Sequence, residues 1–111
     1  MVDGHRIEKE ISADNFLSII KNYSGEEIHC TNHTFFRLSE KQRKIFKCEH
    51  IKDYLLLRTP YLAGIQRNKC YAVFYRYQKK RFIRIILNIS PKEIEIVTFY
   101  IIEHYQLPKL K

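Results

Sequence analysis

Between Tyr61 and Glu103 apolar and polar side chains alternate with period two, and only three short turn sequences interrupt the pattern. That alternation limits more than any other feature what the chain can fold into. In Phe82 to Ile89, the side chains of Ile83, Ile85, Leu87 and Ile89 fall on one face and those of Arg84, Ile86 and Asn88 on the other. In Cys70 to Gln78, Tyr71, Val73, Tyr75 and Tyr77 alternate with Ala72, Phe74 and Arg76. Tyr61 to Arg67 is a strand before these two, and Glu93 to about Glu103 a strand after them. The connections Asn68-Lys69, Gln78-Lys79-Lys80-Arg81 and Ser90-Pro91-Lys92 are too short for a crossover, so successive strands must be antiparallel.

Before Tyr61 the spacing is helical. Ser12 is placed to cap a helix over about 12–23, with Ile11 and Phe16 as a hydrophobic staple and Ser24-Gly25 as the stop. Residues 27–31 read as a short edge strand. Asn32 is placed to cap a second helix from His33 to about Lys41, in which Phe35, Phe36 and Leu38 face inward while His33, Arg37 and Lys41 share another stripe. Gln42 to Lys47 is a basic break. A third helix, from about Cys48 to Arg58, turns Ile51, Tyr54 and Leu55 inward and ends at Thr59-Pro60. The expected architecture is α+β, with two to three N-terminal helices packed on one face of a four-stranded antiparallel meander.

The 111 residues suffice for one domain with a single core, which excludes multi-domain and two-lobed nucleotide enzymes. No uncharged run approaches the roughly 18 residues of a membrane span, and no signal-like stretch opens the chain, so a cytoplasmic location is expected. Cys30, Cys48 and Cys70 are an odd, widely spaced set without a C-x-x-C pair, and read as buried or half-buried thiols. His29, Cys30, His33, Cys48 and His50 fit no standard zinc spacing, and no Gly-rich phosphate loop is present. Neither a metal nor a cofactor is expected.

The net charge of +8 is unevenly distributed. Residues 1–32 contribute −3, residues 33–92 contribute +12 and residues 93–111 contribute −1. A cationic stretch of that size attracts nucleic acid or another polyanion in a salt-dependent way, and the bland alternative is a solvated lysine-rich surface. Interleaved aromatic residues favour nucleic acid, because they offer stacking surfaces to unpaired bases. Candidate contacts are Arg43, Lys44, Arg67, Tyr71, Arg76, Lys79, Lys80 and Arg81.

The strings Thr31-Asn32-His33-Thr34-Phe35-Phe36-Arg37, Gln42-Arg43-Lys44-Ile45, Tyr71-Ala72-Val73, Arg84-Ile85-Ile86 and Ile96-Val97-Thr98-Phe99-Tyr100 together resemble a group of prokaryotic proteins with an H-x-x-x-R helix. That group is related to the RelE/ParE-like and BrnT-like toxins of type II toxin–antitoxin systems. The similarity covers about residues 28–102, and residues 1–25 form an additional N-terminal helix outside it. The resemblance implies a RelE-like fold, metal-independent cleavage of messenger RNA or a gyrase-directed action, and a small acidic antitoxin as partner.

Metal-free RNA cleavage needs a base for the 2′-hydroxyl, an acid for the leaving oxygen and cations for the phosphorane. His33 is the candidate base or acid. Arg37, one helical turn on, and Arg84 are candidates to hold phosphate oxygens. Tyr100, or His104 beyond it, would supply the second proton. Against these stand structural roles: a His33/Arg37 pair that only holds its helix, an Arg84 paired with Glu95, and tyrosines that pack a sheet. The leading expectation is a toxin-like endoribonuclease acting on single-stranded or messenger RNA. Its alternatives are a non-catalytic nucleic-acid-binding or interaction module using the same basic face, and a ParE-like toxin directed at gyrase.

Overall fold

A computed structural model describes residues 7–108. Its elements in chain order are β1 (Ile7–Ile11), α1 (Ala13–Ile20), β2 (Ile28–Cys30), α2 (Glu40–Ile45), α3 (Cys48–Leu57), β3 (Leu62–Gln66), β4 (Tyr71–Gln78), β5 (Arg81–Ile89) and β6 (Ile94–Glu103). Short 3₁₀ turns lie at Gly25–Glu27 and His104–Gln106. The alternating region forms the expected antiparallel neighbours β3, β4, β5 and β6, but they are not the whole sheet. Among the described residues the sheet has six strands in the order β1-β3-β4-β5-β6-β2 and is mixed, which corrects the expected four-stranded meander while leaving the class α+β.

Both additions are edge strands with weak sequence signals. β1 has the sequence Ile-Glu-Lys-Glu-Ile and pairs antiparallel with β3 across an irregular register between Ile7 and Lys9. Gly64 permits this approach: a Cβ there would sit 2.6 Å from Ile7 Cγ2 and 2.9 Å from the Lys9 carbonyl oxygen. β2 is three residues long and pairs parallel with Ile94–Ile96 of β6. A parallel neighbour requires a long crossover, here the whole chain from α2 through β5.

The strand alternation separates two apolar layers. Val73, Tyr75, Ile83, Ile85, Leu87, Ile96 and Phe99 point to the face that α1 and α3 cover with Phe16, Ile20, Ile51 and Leu55. Ala72, Phe74, Phe82, Ile86 and Ile102 form a second cluster on the opposite face, to which α1, α2 and α3 contribute nothing. Ser12 caps α1 as its sequence predicts, its hydroxyl accepting from the Asn15 amide at 3.0 Å. α3 also falls where its apolar spacing places it.

The second helix does not. Residues 32–38 form successive turns, and α2 starts only at Glu40. Two local competitors displace the helix. The Thr34 hydroxyl donates to the Ile96 carbonyl at 2.6 Å, and the Thr34 carbonyl accepts from the Phe99 amide at 3.0 Å, so that carbonyl serves β6 while the segment's own bonds, from the amides of Thr34, Phe36 and Leu38 to the carbonyls of Thr31, His33 and Phe35, are those of separate turns. Ser39 and Gln42 then form a reciprocal capping box, which makes part of the supposed basic break into α2.

The cysteine expectation is also corrected. Cys30 and Cys48 form a disulfide across Cα atoms 6.1 Å apart, joining β2 to the first residue of α3, whereas Cys70 is a half-buried free thiol. Chain order hides this pair, because the sequence distance between Cys30 and Cys48 carries no information about their distance in space. No helix among the described residues is long and apolar enough to cross a membrane.

Candidate nucleic-acid interface

Register alone aligns four side chains across the face that lacks helices. Leu62 lies opposite Phe74, Phe74 opposite Arg84, and Arg84 opposite Tyr100. Cross-strand partners of this kind project to the same side of a sheet. Arg84 is 9% exposed, and its Nη2 donates to Gln66 Oε1 at 2.6 Å. Gln66 in turn donates through Nε2 to Asn68 Oδ1 at 3.1 Å. Burial holds the Arg84 guanidinium below its ordinary pKa; the neighbouring Tyr100 opposes that effect and the nearby Arg37 charge adds to it.

Arg37 reaches the same place from the turns after β2. Its guanidinium carbon sits 3.9 Å from the centre of the Tyr100 ring, and that of Arg84 sits 6.0 Å from it and 5.1 Å from the Phe74 ring. Two cations thus approach one half-buried tyrosine, an arrangement in which the ring quadrupole orients the guanidinium planes. Arg37 is exposed and, among the described residues, forms no ion pair.

Three of the four candidate catalytic residues, Arg37, Arg84 and Tyr100, therefore come together. His33 does not join them. The helix that would have stacked it one turn before Arg37 is absent, its exposed ring faces Phe36 at 6.3 Å, and its amide donates to Thr31 Oγ1 at 3.3 Å. Arg84 makes no bond to Glu95, which accepts instead from Asn88 at 3.3 Å.

The candidate binding residues are dispersed. Arg43 donates to the Phe35 and Phe36 carbonyls at 3.1 and 3.2 Å, which fixes the turn segment that carries Arg37. Lys44 is exposed in the last turn of α2. Arg67 lies just past β3, 4.0 Å from Glu8. Tyr71 is half-buried and packs against the helix-side core. Arg76 stands on β4 with its guanidinium 4.7 Å from the Tyr61 ring. Lys79 and Lys80 are the exposed turn of the β4–β5 hairpin, and Arg81 pairs with Glu103 at 3.2 Å. His104 lies at the same end, its ring 6.0 Å from that of Phe82.

The sequence reading missed Gln66. Its only signal is a polar residue on a strand face shared with Leu62 and Gly64, whose role depends on the register that brings Arg84 within reach. Chemically, the Arg37–Tyr100–Arg84 group can stack a planar ligand and hold an oxyanion. Among the described residues, no three His, Cys, Asp or Glu side chains come together as metal ligands. No protein-family model, curated protein or solved structure matches the chain. The toxin resemblance thus rests on the quoted residues alone.

Proposed function

We propose that the protein binds single-stranded RNA through the exposed Arg37 guanidinium and the Tyr100 ring beneath it. The observation that carries this reading is the approach of two guanidinium groups, both from the stretch of sequence holding +12 of charge, to the one Tyr100 ring. A guanidinium plane lying on a tyrosine leaves its outer face for an unpaired base and its edge for a phosphate. Arg84, nearly buried, positions the ring and raises the local potential without touching solvent much. Cytoplasmic RNA is the ligand this reading implies.

The test is RNA binding by the full chain at several salt concentrations. The logarithm of affinity should fall linearly with the logarithm of salt, with a slope of about −0.7 for each phosphate neutralised. Arg37→Ala should weaken binding by roughly tenfold. A flat salt response, or an Arg37→Ala variant that binds like the parent, would sink the proposal.

Metal-independent cleavage is the second reading, favoured by the convergence of Arg37, Arg84 and Tyr100, three groups that the toxin resemblance also marks. Tyr100 would then be the proton-transfer group and the two arginines would hold the phosphorane, with a small acidic antitoxin covering them by charge complementarity. Incubation of labelled RNA with the protein in EDTA separates the two readings. Intact RNA that remains bound leaves binding without cleavage.

A further inference from the structure

A second cationic site lies where α3 gives way to β3. β3 begins at Leu62, opposite Phe74, so the last four residues of β4, Tyr75–Gln78, have no partner from β3. Arg58 and Thr59 leave α3 beside the edge of β4 that β3 leaves uncovered. A pocket of about 320 Å³ opens there, lined by Arg58, Thr59, Tyr61, Tyr75 and Arg76. That volume lies at the lower end of the range for small-molecule sites.

Three features of the lining point to a ligand and to its chemistry. First, both cations are held by aromatic rings and not by acids. The Arg58 guanidinium lies 4.4 Å from the Tyr54 ring, and that of Arg76 lies 4.7 Å from Tyr61 and 5.4 Å from Phe82. Among the described residues, neither forms an ion pair and no carboxylate lines the pocket; Asp53 lies with His50 in the adjoining depression that shares Arg58. Stacking fixes a guanidinium plane and leaves its N–H edge free for an oxyanion. Second, Thr59, exposed just past the end of α3, adds a hydroxyl donor to the lining. Third, β4 runs on from the pocket into the Lys79-Lys80 turn, which keeps the local potential positive.

We propose that this pocket binds a phosphomonoester, with Arg58 and Arg76 reaching the phosphate oxygens from the two sides of the β4 edge and the Thr59 hydroxyl as a further donor. Two guanidinium groups match a phosphomonoester, which carries about −1.5 to −2 at neutral pH, better than a singly charged carboxylate or a backbone phosphodiester. The half-exposed Tyr61 offers an apolar wall to whatever the phosphate is attached to. That chemistry has two sources, a soluble phosphorylated metabolite or the phosphorylated 5′ end of an RNA strand. The site does not depend on RNA binding at Tyr100.

The test is titration of the full chain with inorganic phosphate, a nucleoside 5′-monophosphate and the matching nucleoside, read by amide chemical shifts and melting temperature at constant ionic strength. Phosphate and monophosphate should bind saturably and shift the amides of residues 58, 59, 75 and 76, and the nucleoside should not. Arg58→Gln and Arg76→Gln, both on exposed side chains, should each lower affinity by roughly tenfold or more. Tyr75→Phe, which removes a hydroxyl sealed in the core, should leave phosphate binding unchanged while raising the melting temperature of the unliganded protein. A 5′-phosphorylated oligonucleotide that outcompetes its 5′-hydroxyl twin assigns the ligand to an RNA end, and equal binding of the two assigns it to a soluble phosphoester. The proposal is overturned if phosphate and monophosphate act no differently from chloride, or if Arg76→Gln binds the monophosphate like the parent. The small-molecule titrations contain no RNA, so their failure and that of the RNA-binding reading are separate results.

Discussion

Tyr75 and Arg84 are both buried polar residues of the central strands, and their chemistry differs in sign. Burial pushes the Tyr75 hydroxyl well above the ordinary tyrosine range. The folded chain therefore keeps this proton where the unfolded chain loses it, near about pH 10. Its contribution to stability is whole below that pH and is lost as pH rises above it, at up to about 1.4 kcal/mol per pH unit. Tyr75→Phe should flatten the alkaline fall in denaturation free energy and also raise stability at neutral pH by about 1 kcal/mol, because a buried hydroxyl without a partner is costly. Urea titrations at a neutral and an alkaline pH check both. Arg84 is a buried cation whose Nη2 is held by the fully buried Gln66, and removing one partner of a buried polar contact leaves the other unsatisfied. Arg84→Met should then lower stability by about 1–3 kcal/mol, and weaken RNA binding less than Arg37→Ala does. A variant that fails to fold would make Arg84 a purely structural residue.

At the scale of elements, the edge strands are the parts most exposed to single substitutions. Gly64→Ala would force a methyl group into the Lys9 backbone and Ile7 side chain, so β1 must move away from β3. The expected cost is about 1–3 kcal/mol, seen as a lower urea midpoint with faster amide exchange in residues 7–11. The two hairpin turns show the opposite situation. Lys69 and Lys80 adopt φ of 75° and 64°, the left-handed region that side chains with a Cβ disfavour. Lys69→Gly should stabilise the β3–β4 turn by about 0.5–1 kcal/mol, after glycine's larger chain entropy is subtracted. A lower midpoint in the same titration would show that the lysine side chain has a role there.

For the whole molecule, the disulfide decides how firmly the Arg37 segment is held. Cys30 and Cys48, 18 residues apart, close the loop that carries His33, Arg37, Arg43 and Lys44. Closing a loop of this length stabilises a fold by about 3 kcal/mol in the chain-entropy model. Reduction with a thiol should lower stability by an amount of that order and weaken RNA binding, because the turns that place Arg37 on Tyr100 lose one anchor. The Arg43 bonds to Phe35 and Phe36 and the Thr34 bonds to β6 remain, so loss should be partial. Binding that is unchanged by reduction would show that those bonds suffice.

The sequence by itself determined the α+β class, α1 with its Ser12 cap, α3, and the four strands from Leu62 to Glu103. These are local properties: a period of two or 3.6 and a capping residue act over neighbouring positions, and burial of one face rewards them wherever the element docks. It also pointed to Arg37, Arg84 and Tyr100, since basic and aromatic residues stand out in a string. Only the tertiary structure decided the rest. The two edge strands exist because β3 and β6 offered unpaired backbone, and the predicted His33 helix is lost because Thr34 bonds to β6. Cys30 meets Cys48, Gln66 meets Arg84, and Arg58 and Arg76 line one pocket at the end of β4 for the same reason. Each depends on strand order and register, which bring together residues that no spacing along the chain marks as neighbours.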